Sequence, residues 1–242
     1  MKILLPTTAL ALATAILTGC DKSHTVVRHG DITLNANNLF TNNQWIEFAE
    51  IIAQGNPIKL PPDYNRDLRQ DKLLWWSLWC HNKPAFDYLI DGSTNANISI
   101  SSTLPGLMIL ATDDQDSTYL QKALLHGGSP TNIDLFRQRS PLVEAISLDL
   151  RPQTDLLLKY HPDLSWQSPI SGETLPFAAV YMGNYETAAR LIEMGAPYTN
   201  IVFNESIQEA ISFNHPNTNS PDLKRLMTLI KPKPQAINGK AP

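Results

Sequence analysis

A short pattern returns five times along this chain of 242 residues: two or three aliphatic residues, one or two spacers, then a turn residue that is usually glycine. Its turn residues are Gly55, Gly92, Gly128, His161 and Gly195, so successive spacings are 37, 36, 33 and 34 residues. Proline follows four of the five turns. Glycine ends a helix in the left-handed conformation, and proline beyond it prevents the helix from restarting. Because each unit is too small to bury its own apolar face, the units must stack on one another.

Each unit has room for two short helices before its turn. In the clearest unit, a helix of small residues is predicted over 177–182, a break at Gly183, and a second helix over 185–194. Prolines also open helices predicted over 85–91 and 142–148. The sequence therefore predicts an all-α stack of helix–turn–helix units.

The repeated unit resembles the ankyrin repeat. Residues 172–179 are similar to the family's G-x-T-P-L-H-x-A segment with leucine and proline exchanged, and residues 191–196 match its L-L-x-x-G-A segment. The family's histidine is absent, with Phe177 and Val143 in its place. The resemblance implies an all-α, ankyrin-repeat solenoid of about six divergent units over residues 34–231. A solenoid of the tetratricopeptide or Sel1 type is the alternative, although those units have longer helices.

The first nineteen residues are predicted to be a removable export signal and not part of the fold. A short basic start is followed by an apolar stretch over residues 3–17, which is too short to span a bilayer comfortably. The stretch closes on the letters LTGC, which end at Cys20. This ending resembles the lipobox of bacterial lipoproteins, and the resemblance implies cleavage before Cys20 and acylation of its thiol. Acyl chains would then anchor the mature chain without a transmembrane helix.

The same resemblance implies a place in the cell envelope, with the chain facing the periplasm. An aspartate directly after the lipid-carrying cysteine resembles an inner-membrane retention signal, so Asp21 favours the inner membrane, and the outer membrane is the alternative. The predicted organisation is a signal peptide at 1–19, a lipidated tether at 20–33, the repeat domain at 34–231 and a flexible tail at 232–242.

Composition narrows the classes of partner. Hydrophobic residues make up 43% of the chain, which is enough for a buried core. The chain has 19 basic and 23 acidic residues, a formal net charge of -4, and no long block of like charges. A nucleic-acid partner is therefore not expected.

No residue pattern predicts catalysis. The sequence contains no G-x-S-x-G, H-E-x-x-H, P-loop or dinucleotide-binding glycine motif. Asp113, Asp114 and Asp116 lack the glycine and glutamate of a calcium loop, which favours a solvated turn that caps the next helix. Cys80 directly precedes His81, and adjacent helical side chains point about 100° apart, which favours a buried free thiol over a Cys–His nucleophile. We therefore expect no enzyme activity, metal, cofactor or small-molecule substrate.

A protein-binding face is the use that the ankyrin resemblance implies. The register of the family places eight residues on that concave face: Leu78, Trp79, Asp113, Asp114, Ser147, Leu148, Tyr181 and Met182. This mixture of apolar anchors and acidic groups is typical of interface cores. Trp75 and Trp79 share a helix face that Trp76 does not, so the three tryptophans are not expected to be equally buried.

Two functions stay open at this point. Ankyrin-like envelope lipoproteins of this size resemble immunity proteins, which protect a bacterium by occluding antibacterial effectors of the type VI secretion kind, such as secreted lipases. The alternative is a scaffold lipoprotein that recruits a resident periplasmic enzyme or assembly. Export, anchoring and small size favour the immunity protein. Both functions require a protein partner and a membrane anchor at Cys20.

Overall fold

The computed structural model is almost entirely helical. It describes residues 26–29, 32–41, 43–61, 68–93, 95–168, 172–198, 207–213 and 219–230. Twelve helices and one two-stranded sheet form the regular structure of these ranges, which confirms the predicted all-α class. None of the helices in these ranges has the length and apolar character needed to cross a bilayer. The predicted signal peptide, the lipidation site Cys20 and the tail at 232–242 lie outside the described residues.

A β-hairpin precedes the first helix. Strands β1 (Val26–His29) and β2 (Ile32–Asn35) pair in antiparallel register, with Val27 opposite Leu34. The β-branched residues of both strands favour this extended conformation. Regular structure therefore begins inside the segment 20–33, which the sequence analysis assigned to the tether.

The chain divides into two compact units, Met1–Arg139 and Ser140–Pro242. After the hairpin, the described residues of the first unit form six helices: α1 (Ala36–Leu39), α2 (Asn43–Ala53), α3 (Leu68–Trp79), α4 (Lys83–Asp91), α5 (Leu107–Asp113) and α6 (Ser117–Leu125). Helix α3 pairs with α4, and α5 pairs with α6. Helix α3 also packs against α2 and α5, and α4 packs against α6, so the first helices α3 and α5 contact each other and the second helices α4 and α6 contact each other.

The second unit is also built from helix pairs, and the part of it that the structure describes has six helices: α7 (Pro141–Ser147), α8 (Arg151–Leu158), α9 (Leu175–Tyr181), α10 (Tyr185–Glu193), α11 (Ile207–Phe213) and α12 (Pro221–Leu229). Helix α7 pairs with α8 and α9 pairs with α10, while α9 also contacts α7 and α11. Helices α4, α7, α9 and α10 match the four helices predicted from the sequence to within two residues at each end.

Polar side chains and prolines start these helices, as the sequence predicts. Ser140 accepts a hydrogen bond from the backbone N–H of Val143 at 3.3 Å, and Pro141 occupies the first turn of α7. Asn184 accepts from the N–H of Thr187 at 3.0 Å at the start of α10. Each bond satisfies a backbone donor that the helix itself leaves without a partner.

Residues in the left-handed conformation end the second helices at nearly the predicted positions. Those with positive φ after a second helix are Gly55, Gly127, His161 and Gly195. The third turn is left-handed at Gly127 and not at the predicted Gly128. Gly92 differs, since its φ is −84° and it caps α4 in a right-handed conformation.

The three tryptophans of α3 are all buried, with at most 1% of each exposed. The expectation that they differ in burial was wrong, because α3 packs against α2, α4 and α5 and is covered on more than one face. Trp75 donates its Nε1–H to the carbonyl of Pro105 at 2.7 Å, whereas Trp76 donates to the carbonyl of Ala49 at 2.8 Å. The rings of Trp75 and Trp79 stack with centroids 4.9 Å apart.

Candidate protein-binding surface

The eight predicted partner-binding residues divide between the two units, and only some of them reach the surface. In the first unit, Leu78 and Trp79 are 2% and 1% exposed, so their assignment to a binding face was wrong. The reason is the central place of α3 between α2 and α5, which covers the face that the ankyrin register leaves open. Cys80, the next residue, is buried, as predicted, and forms no disulfide within the part of the chain that the structure describes.

Asp113 and Asp114, at the end of α5, both contact other side chains of the first unit. Asp114 is buried, and its Oδ2 lies 2.8 Å from His81 Nδ1, while its Oδ1 accepts the backbone N–H of Asp116 at 2.8 Å. Asp113, whose side chain is 11% exposed, lies 3.7 Å from the guanidinium of Arg137. These carboxylates are engaged inside the unit and do not form the exposed acidic spot that the sequence analysis predicted.

The turn also carries the predicted cap. Asp116 accepts the backbone N–H of Thr118 at 3.0 Å and starts α6. The hydrogen bond from the Thr118 side chain holds the pKa of Asp116 below its ordinary value. Among the residues that the structure describes, no group of three or more His, Cys, Asp or Glu is arranged to hold a metal ion.

The second unit keeps the apolar part of the predicted surface accessible. Leu148, Tyr181 and Met182 are 47%, 37% and 49% exposed, and Ser147 beside them is half-buried. We call the three exposed residues the apolar row. Leu148 is the residue that follows α7, and Met182 is the residue that follows α9, so the two occupy equivalent positions in neighbouring helix pairs.

Helix packing and one hydrogen bond between turns hold together the parts of the chain that carry the apolar row. Helices α7 and α9 pack side by side, and the turns that follow them are joined by Asn184, whose Nδ2 donates to Asp149 Oδ1 at 2.6 Å. The Tyr181 ring lies 6.3 Å from the ring of buried Phe177, which supports one side of it. The backbone that carries the apolar row is therefore held by the packing of α7 against α9 and by this hydrogen bond.

Most of α7 and α9 is buried. Residues 141–146 and 175–180 are all buried, so each helix exposes its apolar side chains only where it ends. Tyrosine and methionine are enriched at protein interfaces, where they supply contact area. Chemically, this arrangement offers apolar contact to another protein.

Ion pairs at equal register join the second helices of each unit, and the sequence analysis missed them. Lys122 Nζ on α6 lies 3.1 Å from Asp87 Oδ1 on α4, and Arg190 on α10 pairs with Asp155 on α8. The signal was present in the sequence, because the acidic residues and the basic residues of the two pairs recur at the same separation. The side chains of both pairs are partly exposed, so each pair contributes little to stability on its own.

No protein-family model matches the chain, and no curated protein is similar enough to it to indicate a relative.

Proposed function

We propose that this chain is an ankyrin-type repeat lipoprotein of the bacterial envelope and that it binds a protein partner through the apolar row. The ankyrin-type assignment is supported by the period of 33 to 37 residues, by the paired short helices and by the left-handed residues that end four of the second helices. The lipid anchor is supported by the residues LTGC that end at Cys20.

The observation that carries the binding proposal is the exposure of Leu148, Tyr181 and Met182 at the ends of otherwise buried helices. Large apolar side chains are costly to leave in water, at about 25 cal/mol for each Å² that a partner would bury. The turns that carry Leu148 and Met182 are already joined by the Asn184–Asp149 hydrogen bond, so little backbone ordering is needed on binding and more of that free energy becomes affinity.

We propose further that the partner is an antibacterial effector and that the chain acts as an immunity protein. Its mechanism is occlusion: the repeat surface covers the effector's active site, and no chemistry is needed from this chain. A lipid anchor on Cys20 would hold the inhibitor at the membrane that a lipase-type effector attacks. Such tethering raises the local concentration of inhibitor and therefore the fraction of effector that is bound.

The test combines survival with capture. A strain that lacks this gene competes with an effector-producing neighbour and carries the parent chain, Leu148→Asp with Met182→Asp, or the matched control Met194→Asp. Met194 is 41% exposed and follows α10 in the same unit, but it lies outside the apolar row. We expect the parent and Met194→Asp to protect the strain and the double variant to fail, with similar amounts of all three chains in the envelope.

Two outcomes would contradict parts of the proposal. Unchanged survival of the deletion strain would refute the immunity function. If affinity capture with the parent then recovered a resident envelope protein and the double variant did not, the apolar row would serve a scaffold. Equal capture by the parent and the double variant would refute the apolar row as the binding surface.

A further inference from the structure

A second exposed apolar group lies in the first unit, on the segment that follows α6. Ile133, Leu135 and Phe136 are 47%, 60% and 38% exposed. Residues 133–139, which we call the apolar loop, contain these three side chains and two exposed arginines, Arg137 and Arg139. The apolar row of the second unit does not include them, and the proposed function does not use them.

The conformation of the apolar loop is set by one buried carboxylate. Asp134 Oδ2 accepts the backbone N–H of Gly106 at 2.7 Å, and its Oδ1 accepts the N–H groups of Phe136 and Arg137 at 3.1 and 2.7 Å. The N–H of Asp134 donates to the carbonyl of Arg139 at 2.9 Å and closes the loop. These bonds hold the backbone of the loop in a conformation in which the three apolar side chains are exposed.

Basic groups lie beside the apolar side chains. The Arg137 guanidinium lies 5.7 Å from the centre of the Phe136 ring, and Arg139 ends the loop. A short apolar segment with adjacent arginines is typical of chains that enter the boundary between lipid headgroups and acyl chains, where the arginines contact anionic phosphates.

We propose that the apolar loop inserts into the surface of the bilayer to which the chain is anchored. This inference rests on the lipid anchor of the proposed function. Only five residues separate Cys20 from the start of β1 at Val26, so the hairpin can lie no more than about 20 Å from the lipidated residue. The short tether keeps the first unit at the membrane, where a weakly inserting loop meets a high local concentration of lipid.

The experiment places a polarity-sensitive dye on the full chain in vesicles of phosphatidylethanolamine and phosphatidylglycerol whose acyl chains carry quenching groups. Leu135→Cys receives the dye, and Leu125→Cys at the end of α6 is the matched control, since Leu125 is also exposed and apolar in the same unit. Cys80 is buried, so we expect it not to take up the dye under native conditions. Dye on the unsubstituted chain would show that Cys20 is not acylated, which tests the anchor separately.

We expect quenching to be at least about fivefold stronger at position 135 than at position 125. Ile133→Asp with Phe136→Asp in the Leu135→Cys chain should abolish that difference, while circular dichroism confirms that the helices are retained. Equal quenching at the two positions of an anchored chain would overturn the proposal. So would a dye at position 135 that responds only when a protein ligand is added, because the loop would then contact a protein.

Discussion

The turns that follow the first helices place equivalent residues in opposite environments in the two units. Cys80, Leu148 and Met182 each precede a residue with positive φ that separates two paired helices. Cys80 is 6% exposed, whereas Leu148 and Met182 are about half exposed. The position in the repeat is the same, so the difference comes from what surrounds each turn.

Hydrogen bonds show how the surroundings differ. The turn after α3 is held on both sides, because Asn82 Nδ2 donates to the carbonyls of Ile52 and Asn56 while His81 contacts Asp114. In the second unit, the turns after α7 and α9 are joined to each other by the bond between Asn184 and Asp149, and their apolar residues stay exposed. A repeat position therefore becomes core or surface according to its neighbours, and the repeat pattern alone does not decide which.

The sharpest test of this comparison pairs Trp79→Ala with Met182→Ala. Trp79 is buried and stacked on Trp75, so its removal should lower the free energy of unfolding by about 3–5 kcal/mol. Removal of half-exposed Met182 should change it by less than about 0.5 kcal/mol. Urea denaturation followed by circular dichroism measures both, and similar losses for the two variants would contradict the contrast between the units.

The turns that end the second helices give the next largest effect. A Cβ at Gly128 in the first unit would lie 2.3 Å from Met108 Sδ and 2.7 Å from the carbonyl oxygen of Ala123, whereas a Cβ at Gly195 in the second unit would meet nothing within 4 Å. Gly128→Ala should therefore cost about 1–3 kcal/mol from overpacking. Gly195→Ala should cost only the roughly 1 kcal/mol of its left-handed backbone, since its φ is +95°.

Thermal unfolding of the two variants ranks them directly. As a control, Gly128→Ala combined with Met108→Ala removes the nearest side-chain atom but leaves the clash with the Ala123 carbonyl. Removal of the buried Met108 side chain is itself destabilising, so the comparison is with Met108→Ala alone, in which Gly128→Ala should still cost part of the overpacking free energy. A larger loss in Gly195→Ala than in Gly128→Ala would show that the first unit is not the more tightly packed at its turns.

Among the packing features, the ion pairs between second helices should contribute least to the free energy of unfolding, and by a similar amount in the two units. Lys122→Ala and Arg190→Ala each remove a cation that pairs with the second helix of the preceding pair, and the side chains of the two pairs are 30% to 56% exposed. Each variant should lose about 0.2–1 kcal/mol, and the loss should shrink as salt screens the charges. Denaturation at low and high salt measures this, and a salt-independent loss above about 2 kcal/mol at either site would contradict a surface role.

The sequence patterns predicted the helix pairs, their capping residues and most turn positions, because glycine, proline and polar caps act through local backbone geometry. The burial of α3 could not be predicted from such local signals. On an isolated helix, Trp76 lies on a different face from Trp75 and Trp79, so the sequence indicates unequal burial. All three are buried because α2, α4 and α5 pack around α3. The apolar loop was missed for a related reason, since its exposure depends on Asp134 bonding to Gly106 across 28 residues.

The smallest effect concerns the caps of α6 and α10, where the first unit has Asp116 and the second has Asn184. The pKa of Asp116 lies below its ordinary value in the folded chain, so its stabilising contribution is complete above about pH 4 and is lost as the pH falls through the folded pKa. An asparagine caps a helix nearly as well and does not titrate. Asp116→Asn should therefore make the cap of α6 independent of pH, like the cap that Asn184 forms at α10.

Because Asp116 is partly exposed, solvent screens its charge and the expected difference is at most about half a kcal/mol. Four of the five tryptophans lie in the first unit, so tryptophan fluorescence during urea unfolding reports mainly on that unit. We expect the parent to lose slightly more stability than Asp116→Asn between pH 6 and pH 3. A steeper acid dependence in the variant would have the wrong sign for a carboxylate whose pKa is lowered by folding, and would place the titrating contribution at another group.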